Sequence, residues 1–231
     1  MGRKILLVTT DQQRYDTLGC NGGTLARTSV VDGLARQGIR YSRAVPQSVV
    51  CMPSRSTILT GQHPSSHGVW MNGVPLPADA PSVAEVLRQA GYRTALIGKA
   101  HFEPYFDPFM RFPENAMGTS PDPSGGSHRG FEHLELATHG VQGQLHYSAW
   151  LRSAHPEAVG MYYPTVDSDL QVNSMGGGDT GAPQVHVNPI PRDWYHTDWV
   201  ADRTVAWLES LPADGDWFSL MGFPDPDQPV D

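Results

Sequence analysis

Five polar residues that could do chemistry follow apolar runs with the pattern of buried strands. Asp11 ends the first run, Lys99 and His101 follow a run in the middle of the chain, and Asp225 and Asp227 follow the last one. In open α/β sheets, ligands bind beyond the carboxyl ends of the strands. Each residue alone is a weak signal, because a carboxylate at a strand end is more often a helix cap or a loop acceptor than a metal ligand.

The segment Cys51-Met-Pro-Ser-Arg55 is a stronger candidate for a site. Pro53 suits the first turn of a helix, whose N–H groups would then point toward Cys51. Arg55 lies one turn further along, and a helix N-terminus beside a guanidinium forms an anion site for a tetrahedral oxyanion. The alternative is a buried cysteine in a helix that begins with proline. From the residues alone, the two interpretations stand level.

The elements that must position these residues alternate between strand and helix. Continuous apolar runs, typical of strands buried on both faces of a parallel sheet, occur at 5–10, 92–97 and 217–223. Ser29 is a candidate helix cap, and Ser82 with Glu85 forms a capping box. Helical spacing of apolar residues recurs over 193–210. This order predicts an α/β fold with a mostly parallel sheet flanked by helices.

The length of 231 residues fits a single domain over 1–231, or a piece of a larger protein. The range from about 112 to 192 is rich in Gly, Pro, Ser and His. We interpret it as a loop-rich insertion over the active-site face, with a mobile surface loop as the alternative. No crossover follows the last apolar run, although a buried parallel strand needs one to cover it. We therefore expect the N-terminal portion of a truncated catalytic domain.

The composition argues against several classes of protein. A net charge of −8 disfavours binding to a nucleic-acid backbone or to an anionic membrane surface. No apolar run approaches the ~20 residues of a membrane span, and the apolar start is too short for a signal-peptide core. Two cysteines, Cys20 and Cys51, do not make a disulfide framework. We predict a cytoplasmic enzyme that acts on a small molecule, with no nucleic-acid or membrane partner.

Four motifs resemble those of the type I sulfatases, in which the cysteine of a Cys-x-Pro-Ser-Arg segment is oxidised to formylglycine. Cys51 opens that segment here, and Asp11-Gln-Gln-Arg-Tyr-Asp16 resembles the metal-binding start of the family. Thr60-Gly-Gln-His-Pro-Ser-Ser-His-Gly68 resembles the part that follows the cysteine helix, and Gly98-Lys-Ala-His-Phe102 is similar to choline sulfatases and related bacterial enzymes. The resemblance implies an alkaline-phosphatase-like fold and hydrolysis of a sulfate monoester.

The resemblance also implies a role for each site residue. Cys51, converted by a formylglycine-generating or sulfatase-maturating enzyme, would supply the nucleophilic oxygen. Asp11 and position 51 would bind a divalent cation, Ca²⁺ first with Mn²⁺ or Mg²⁺ as alternatives, that polarises the sulfate. Arg55 would hold the hydrated aldehyde, Lys99 would bind a sulfate oxygen, and His101 would take a proton so that sulfate is expelled.

Three departures from the family pattern concern the metal and the leaving group. Gln12, a candidate metal ligand, stands where many sulfatases have a second aspartate. Asp227, a candidate substrate-binding residue, stands where the family has a histidine, and an ionised carboxylate there would repel sulfate. The family's second pair of metal ligands would lie beyond residue 231, whereas Ca²⁺ takes about 6–8 oxygen ligands.

Two other functions stay open. A phosphonate monoester or phosphodiester hydrolase would use the same residues on the same scaffold. A non-catalytic fragment would fold, or bind an anion, without turnover. The sequence also leaves open the leaving group of the substrate and the oligomeric state.

Overall fold

The computed structural model describes residues 3–104, 107, 109–138, 145–162 and 189–226. These residues form one parallel sheet with helices on both of its faces. The strands are β1 (Lys4–Thr9), β2 (Arg93–Gly98), β3 (His133–Leu136) and β4 (Trp217–Gly222), in the spatial order β1-β4-β2-β3. The predicted α/β class and the three predicted strands are confirmed. β4, the last of the described strands in sequence, lies inside the sheet and pairs with both β1 and β2.

Eight α-helices occur in the described ranges, namely α1 (Ser29–Gln37), α2 (Cys51–Thr60), α3 (Pro64–His67), α4 (Val83–Gln89), α5 (Pro113–Gly118), α6 (His146–Ala154), α7 (Val159–Tyr162) and α8 (His196–Glu209). The capping box of α4 is present, since the Ser82 hydroxyl accepts the Glu85 N–H at 3.4 Å. The predicted cap of α1 is displaced by one residue. Thr28, not Ser29, lies at the N-cap position, and its hydroxyl donates to Asp32 at 3.1 Å.

The range from about 112 to 192 contains elements that the sequence analysis did not identify. Its described residues form α5, β3, α6 and α7, and β3 pairs with β2 as an outer strand of the sheet. Part of this range therefore belongs to the α/β core. Much of the remainder lies outside the described residues. The placement of an insertion over the active-site face stays a prediction.

The two faces of the sheet bury separate apolar layers. Side chains alternate along β2, so Leu96 packs into one layer while Ala95 and Ile97 pack into the other. The first layer includes Met52 of α2, and the second includes Val200 of α8. Covering on both faces explains why the central strands are mostly apolar. Within the described residues, each helix is too short or too polar to span a bilayer.

Candidate functional site

A cavity of about 340 Å³ opens where β1 ends and α2 begins. Its walls include Asp11 and Gln12, which follow β1, and Cys51, Ser54 and Arg55 of α2. The cavity therefore holds the metal-binding and nucleophile motifs of the sequence. A larger cavity of about 620 Å³ lies at the amino ends of β2 and β3 and contains none of the predicted site residues.

Three of the predicted residues form a buried cluster of charges beside a fourth, Cys51. The Lys99 ammonium contacts the Asp11 carboxylate, and Arg55 Nη2 lies 3.3 Å from Asp11 Oδ2. Lys99 Nζ also lies 3.9 Å from Cys51 Sγ. Lys99 is 1% exposed, Arg55 6% and Asp11 8%, so solvent screens these charges little. Among the described side chains of this cluster, two cations accompany one carboxylate beside the sulfur, a balance that favours an anionic ligand.

Close packing of two strand ends positions Lys99. Gly98 has a φ of 99°, and a side chain at this position would overlap the carbonyl oxygen of Gly222 at the end of β4. The Lys99 N–H donates to that oxygen at 2.7 Å, and Arg55 Nη1 donates to the Lys99 carbonyl at 2.6 Å. Arg55 is thereby tied to the backbone of the β2 exit as well as to Asp11.

Two amides in the first turn of α2 are used by the protein itself. The N–H of Met52 donates to Asn72 Oδ1 at 3.0 Å, and the N–H of Ser54 donates to the Val50 carbonyl at 3.1 Å. The sequence analysis expected the N–H groups of this turn to face Cys51 and bind an anion. The side chains of Arg55 and Lys99 supply the positive charge more directly.

The other three predicted site residues lie outside this buried cluster of charges or outside the described part of the chain. His101 is 6% exposed and lies two residues after Lys99, with a φ of 56°. Gln12 lines the cavity beside Asp11 and has a φ of 53°. Asp227 lies outside the described residues.

Sequence reasoning missed Glu114 beside the site and did not predict the contacts of His196 and Asp225. Glu114 is 2% exposed and binds the backbone that carries His101. His196 begins α8, and its Nδ1 lies 3.3 Å from Asp225 Oδ2. The Asp225 carbonyl in turn accepts the Asp11 N–H at 2.9 Å. No local pattern predicts these contacts, because the partners are distant in sequence.

The described donors fit a divalent metal only in part. Asp11 is the one carboxylate of the described cavity wall, and its Oδ2 already contacts Lys99 and Arg55. The amide of Gln12 could add a second oxygen ligand. A hard cation such as Ca²⁺ takes about 6–8 oxygens. The described residues do not by themselves complete such a site.

Nearly the whole chain matches one protein-family model. The model described as Sulfatase matches residues 3–226. The chain belongs to the Sulfatase family. An arylsulfatase of Clostridium perfringens is 26% identical over the whole of this chain and 44% of its own length. An ulvan-active sulfatase of Formosa agariphila is 35% identical over 43% of this chain and 19% of its own length. The sulfatase chain thus spans less than half the length of these relatives.

The fold is also found in solved structures of other proteins. The crystal structure of a phosphonate monoester hydrolase of Agrobacterium radiobacter superposes with a TM-score of 0.68 at 27% identity. The match covers 98% of this chain and 41% of the hydrolase. The resemblance stated from the motifs, and the alkaline-phosphatase-like sulfatase fold that it implied, are confirmed.

Proposed function

We propose that this chain contributes the nucleophile side of an active site that hydrolyses sulfate monoesters. The observation that carries the proposal is the position of Cys51 at the first turn of α2, with Lys99 Nζ 3.9 Å from its sulfur. Arg55 lies one turn further along in the same cavity wall. Membership of the Sulfatase family supports the same reaction class.

In this proposal the nucleophile is formylglycine, made from Cys51 by a maturating enzyme. The hydrated aldehyde would supply one hydroxyl oxygen to attack sulfur and a second hydroxyl whose deprotonation expels the sulfate. Lys99 and Arg55 would hold the sulfate oxygens as charge moves onto the leaving alcohol. His101 would accept the proton of the second hydroxyl. Water then restores the hydrate, so the net reaction converts the ester and water into an alcohol and sulfate.

A divalent metal is a separate part of the proposal. Ca²⁺ is the first candidate, with Mn²⁺ and Mg²⁺ as alternatives. Asp11, position 51 and Gln12 would supply ligands from this chain, and such a cation polarises sulfate oxygens as a Lewis acid. Because Asp11 is shared with two cationic side chains, we expect the 231-residue chain alone to bind Ca²⁺ weakly.

A phosphonate monoester hydrolase is the second candidate. The likeness to the Agrobacterium radiobacter enzyme, at 27% identity over 98% of this chain, favours it. Sulfate and phosphonate monoesters present similar tetrahedral anionic groups to Lys99 and Arg55. Rates on 4-nitrophenyl sulfate and on an aryl phosphonate monoester, measured with one preparation, separate the two functions.

The nucleophile is tested by mass spectrometry of the tryptic peptide Ala44–Arg55 together with the intact mass. We expect the aldehyde or its hydrate at Cys51 after co-expression with a maturating enzyme, and loss of turnover in Cys51→Ala. Cys20→Ala is the matched control and should keep both the aldehyde and the turnover. A thiol that persists at Cys51 under these conditions, or full turnover by Cys51→Ala, would contradict the proposal. An aldehyde without turnover would favour the non-catalytic alternative for this chain.

A further inference from the structure

One buried carboxylate binds the loop that carries both Lys99 and His101. Glu114, at the second position of α5, accepts three successive backbone N–H groups. Its Oε1 accepts from His101 at 2.8 Å, and its Oε2 accepts from Phe102 at 3.0 Å and from Glu103 at 3.2 Å. Three converging amides form a nest for an anion, and here a side chain of the protein fills it.

The backbone held by Glu114 has an unusual conformation. The φ of 56° at His101 lies in the left-handed region, which residues with a Cβ adopt only when surrounding structure fixes them there. Charge-assisted hydrogen bonds to a buried carboxylate are the strong kind. They supply the constraint that keeps the backbone of His101 in this state.

A second carboxylate holds Glu114 in place. Glu103 Oε2 accepts the Glu114 N–H at 2.8 Å, so the two residues bind each other's backbone. Glu103 Oε1 pairs with Arg129 Nη2 at 2.9 Å, and the same nitrogen donates to the Leu76 carbonyl at 2.7 Å. The nest is therefore anchored to the loop that precedes α4.

The same residues could suggest a cation site, since Glu103, Glu114 and His128 lie within 4.8 Å of one another and are buried. Their hydrogen bonds argue against it. The carboxylate oxygens of Glu103 and Glu114 accept four backbone N–H groups, and the Arg129 guanidinium lies 2.9 Å from Glu103. A cation would have to compete with these donors. Holding the loop is the role that the contacts support.

We infer that Glu114 is a positioning residue that fixes the backbone of 101–103 and thereby aims His101 at the reacting group. This inference rests on the proposed role of His101. Glu114 itself does not need to touch the substrate. Its effect is exerted through three amides that follow directly from the β2 exit.

The test uses the 231-residue chain and two variants of graded severity. Glu114→Gln replaces one acceptor oxygen by an NH₂ group, and Glu114→Asp keeps the charge but withdraws the carboxylate. Glu209→Gln, at the exposed end of α8, is the matched control. The readouts are amide hydrogen exchange resolved at 101–103, the imidazole NMR signal of His101, and turnover of 4-nitrophenyl sulfate. Exchange in β4 reports whether each variant is folded.

We expect exchange at 101–103 to rise at least about 10-fold in Glu114→Gln, less in Glu114→Asp, and not in Glu209→Gln. The His101 signal should move, while exchange in β4 stays constant. Where the wild type turns over, kcat should fall about 100-fold in Glu114→Gln with KM little changed, as expected for a misplaced group.

Exchange at 101–103 that matches the wild type in a folded variant would overturn the inference. So would unchanged kcat and pH profile in an active enzyme, or an equal rise of exchange throughout the chain in both variants. If the variants show the expected exchange differences but a wild type that carries the aldehyde at Cys51 shows no turnover, the proposed function is contradicted and the positioning of 101–103 stays supported. The two failures are therefore distinguishable.

Discussion

Lys99 is the most deeply buried charge of the candidate site, with 1% of its surface exposed. A buried ammonium is stable only beside compensating charge and hydrogen bonds, and here the Asp11 carboxylate compensates it. The same side chain lies 3.9 Å from Cys51 Sγ. One residue thus contributes both to stability and to the anion site, and substitutions there change both properties.

We expect Lys99→Met to lower the free energy of unfolding by about 3 kcal/mol, because Asp11 then keeps a buried charge with one cation fewer. Arg88→Met is the matched control. It breaks the exposed Arg88–Glu85 pair and should cost less than about 1 kcal/mol. Urea unfolding monitored by circular dichroism gives both values. The double variant Asp11→Asn with Lys99→Met should recover part of the free energy lost in Lys99→Met. Equal losses in Lys99→Met and Arg88→Met would contradict this account.

Two histidines act as backbone caps rather than as site residues. His67 Nδ1 accepts the Val69 N–H at 3.1 Å, and His146 Nδ1 accepts the Leu136 N–H at 2.9 Å. Burial lowers the pKa of each imidazole below its ordinary value of 6.5. The contacts of His67 therefore support a structural role for it.

These two histidines predict a pH dependence of stability. Because the folded pKa lies below the unfolded one, the unfolded chain binds more protons between them, so stability is full above pH 6.5 and falls as the pH drops through that value. Chemical unfolding at pH 8 and pH 5.5 measures the loss. His67→Gln combined with His146→Gln should flatten the difference between the two pH values. An undiminished difference in that variant would assign the dependence to other groups.

At the scale of elements, the ends of β2 and β4 approach so closely that only glycines fit. The φ of 99° at Gly98 and the carbonyl of Gly222 both oppose a side chain there. This approach brings the Lys99 N–H to Gly222 and lets Arg55 reach the Lys99 carbonyl. The crowding is therefore part of the geometry of the site.

We expect Gly98→Ala to lower the free energy of unfolding by more than about 2 kcal/mol, since it adds a steric overlap to the cost of a left-handed backbone. Gly73→Ala is the control, because Gly73 has a φ of 93° but open space around its Cα. It should show only the backbone cost, about 1–2 kcal/mol. Thermal and urea unfolding of the two variants separate the cost of the steric overlap from the cost of the left-handed backbone. Equal destabilisation would mean that the β4 carbonyl moves aside at little cost.

The sequence predicted the elements whose signals are local. Three strands were visible as continuous apolar runs, and α4 was visible from Ser82 and Glu85. β3 was not, because it has four residues and contains a buried charge, Glu135. Burial opposes the ionisation of Glu135, but bonds from His133 and Arg203 outweigh it and the pKa stays below the ordinary value. Arg203 lies in α8, far along the chain from β3. A local sequence pattern therefore could not predict that its guanidinium pairs with the Glu135 carboxylate.

The candidate site was predictable to the same extent. Asp11, Cys51, Arg55 and Lys99 stand at strand ends or at a helix start, where motifs mark them. Their mutual contacts depend on the sheet order, which places β4 between β1 and β2 and cannot be inferred from apolar periodicity. Glu114 was missed because a glutamate in a short helix has no distinguishing pattern until its three backbone partners are known.

Across the whole molecule, β1 is an outer strand of the described sheet and is less covered than the centre. The side chains of Leu6 and Val8 in β1 are 46% and 47% exposed. In α1, Val30 and Leu34 are 76% and 66% exposed. An apolar outer strand with unpaired backbone groups is a template for association. The exposed edge of β1 therefore allows a specific prediction about the oligomeric state, which the sequence alone did not determine.

We expect the 231-residue chain to self-associate as its concentration rises, and Val8→Lys to shift it toward monomer because a charge on an edge opposes strand pairing. Val205→Lys is the matched control, since Val205 is a 52% exposed valine on α8. Sedimentation velocity over a range of concentrations measures the association. A chain that stays monomeric throughout, or an equal response to the two lysines, would contradict the prediction.

The position of β4 between β1 and β2 has a consequence for the synthesis of the protein on the ribosome. Among the described strands β1 pairs with β4 alone, and Arg3 donates to Asp216, 213 residues later. At the usual elongation rate of about 5–20 residues per second, β1 waits roughly 10–40 s before its neighbour exists. During that interval an apolar strand has no sheet to join. The first strand of the nascent chain therefore stays without its partner until β4 is synthesised.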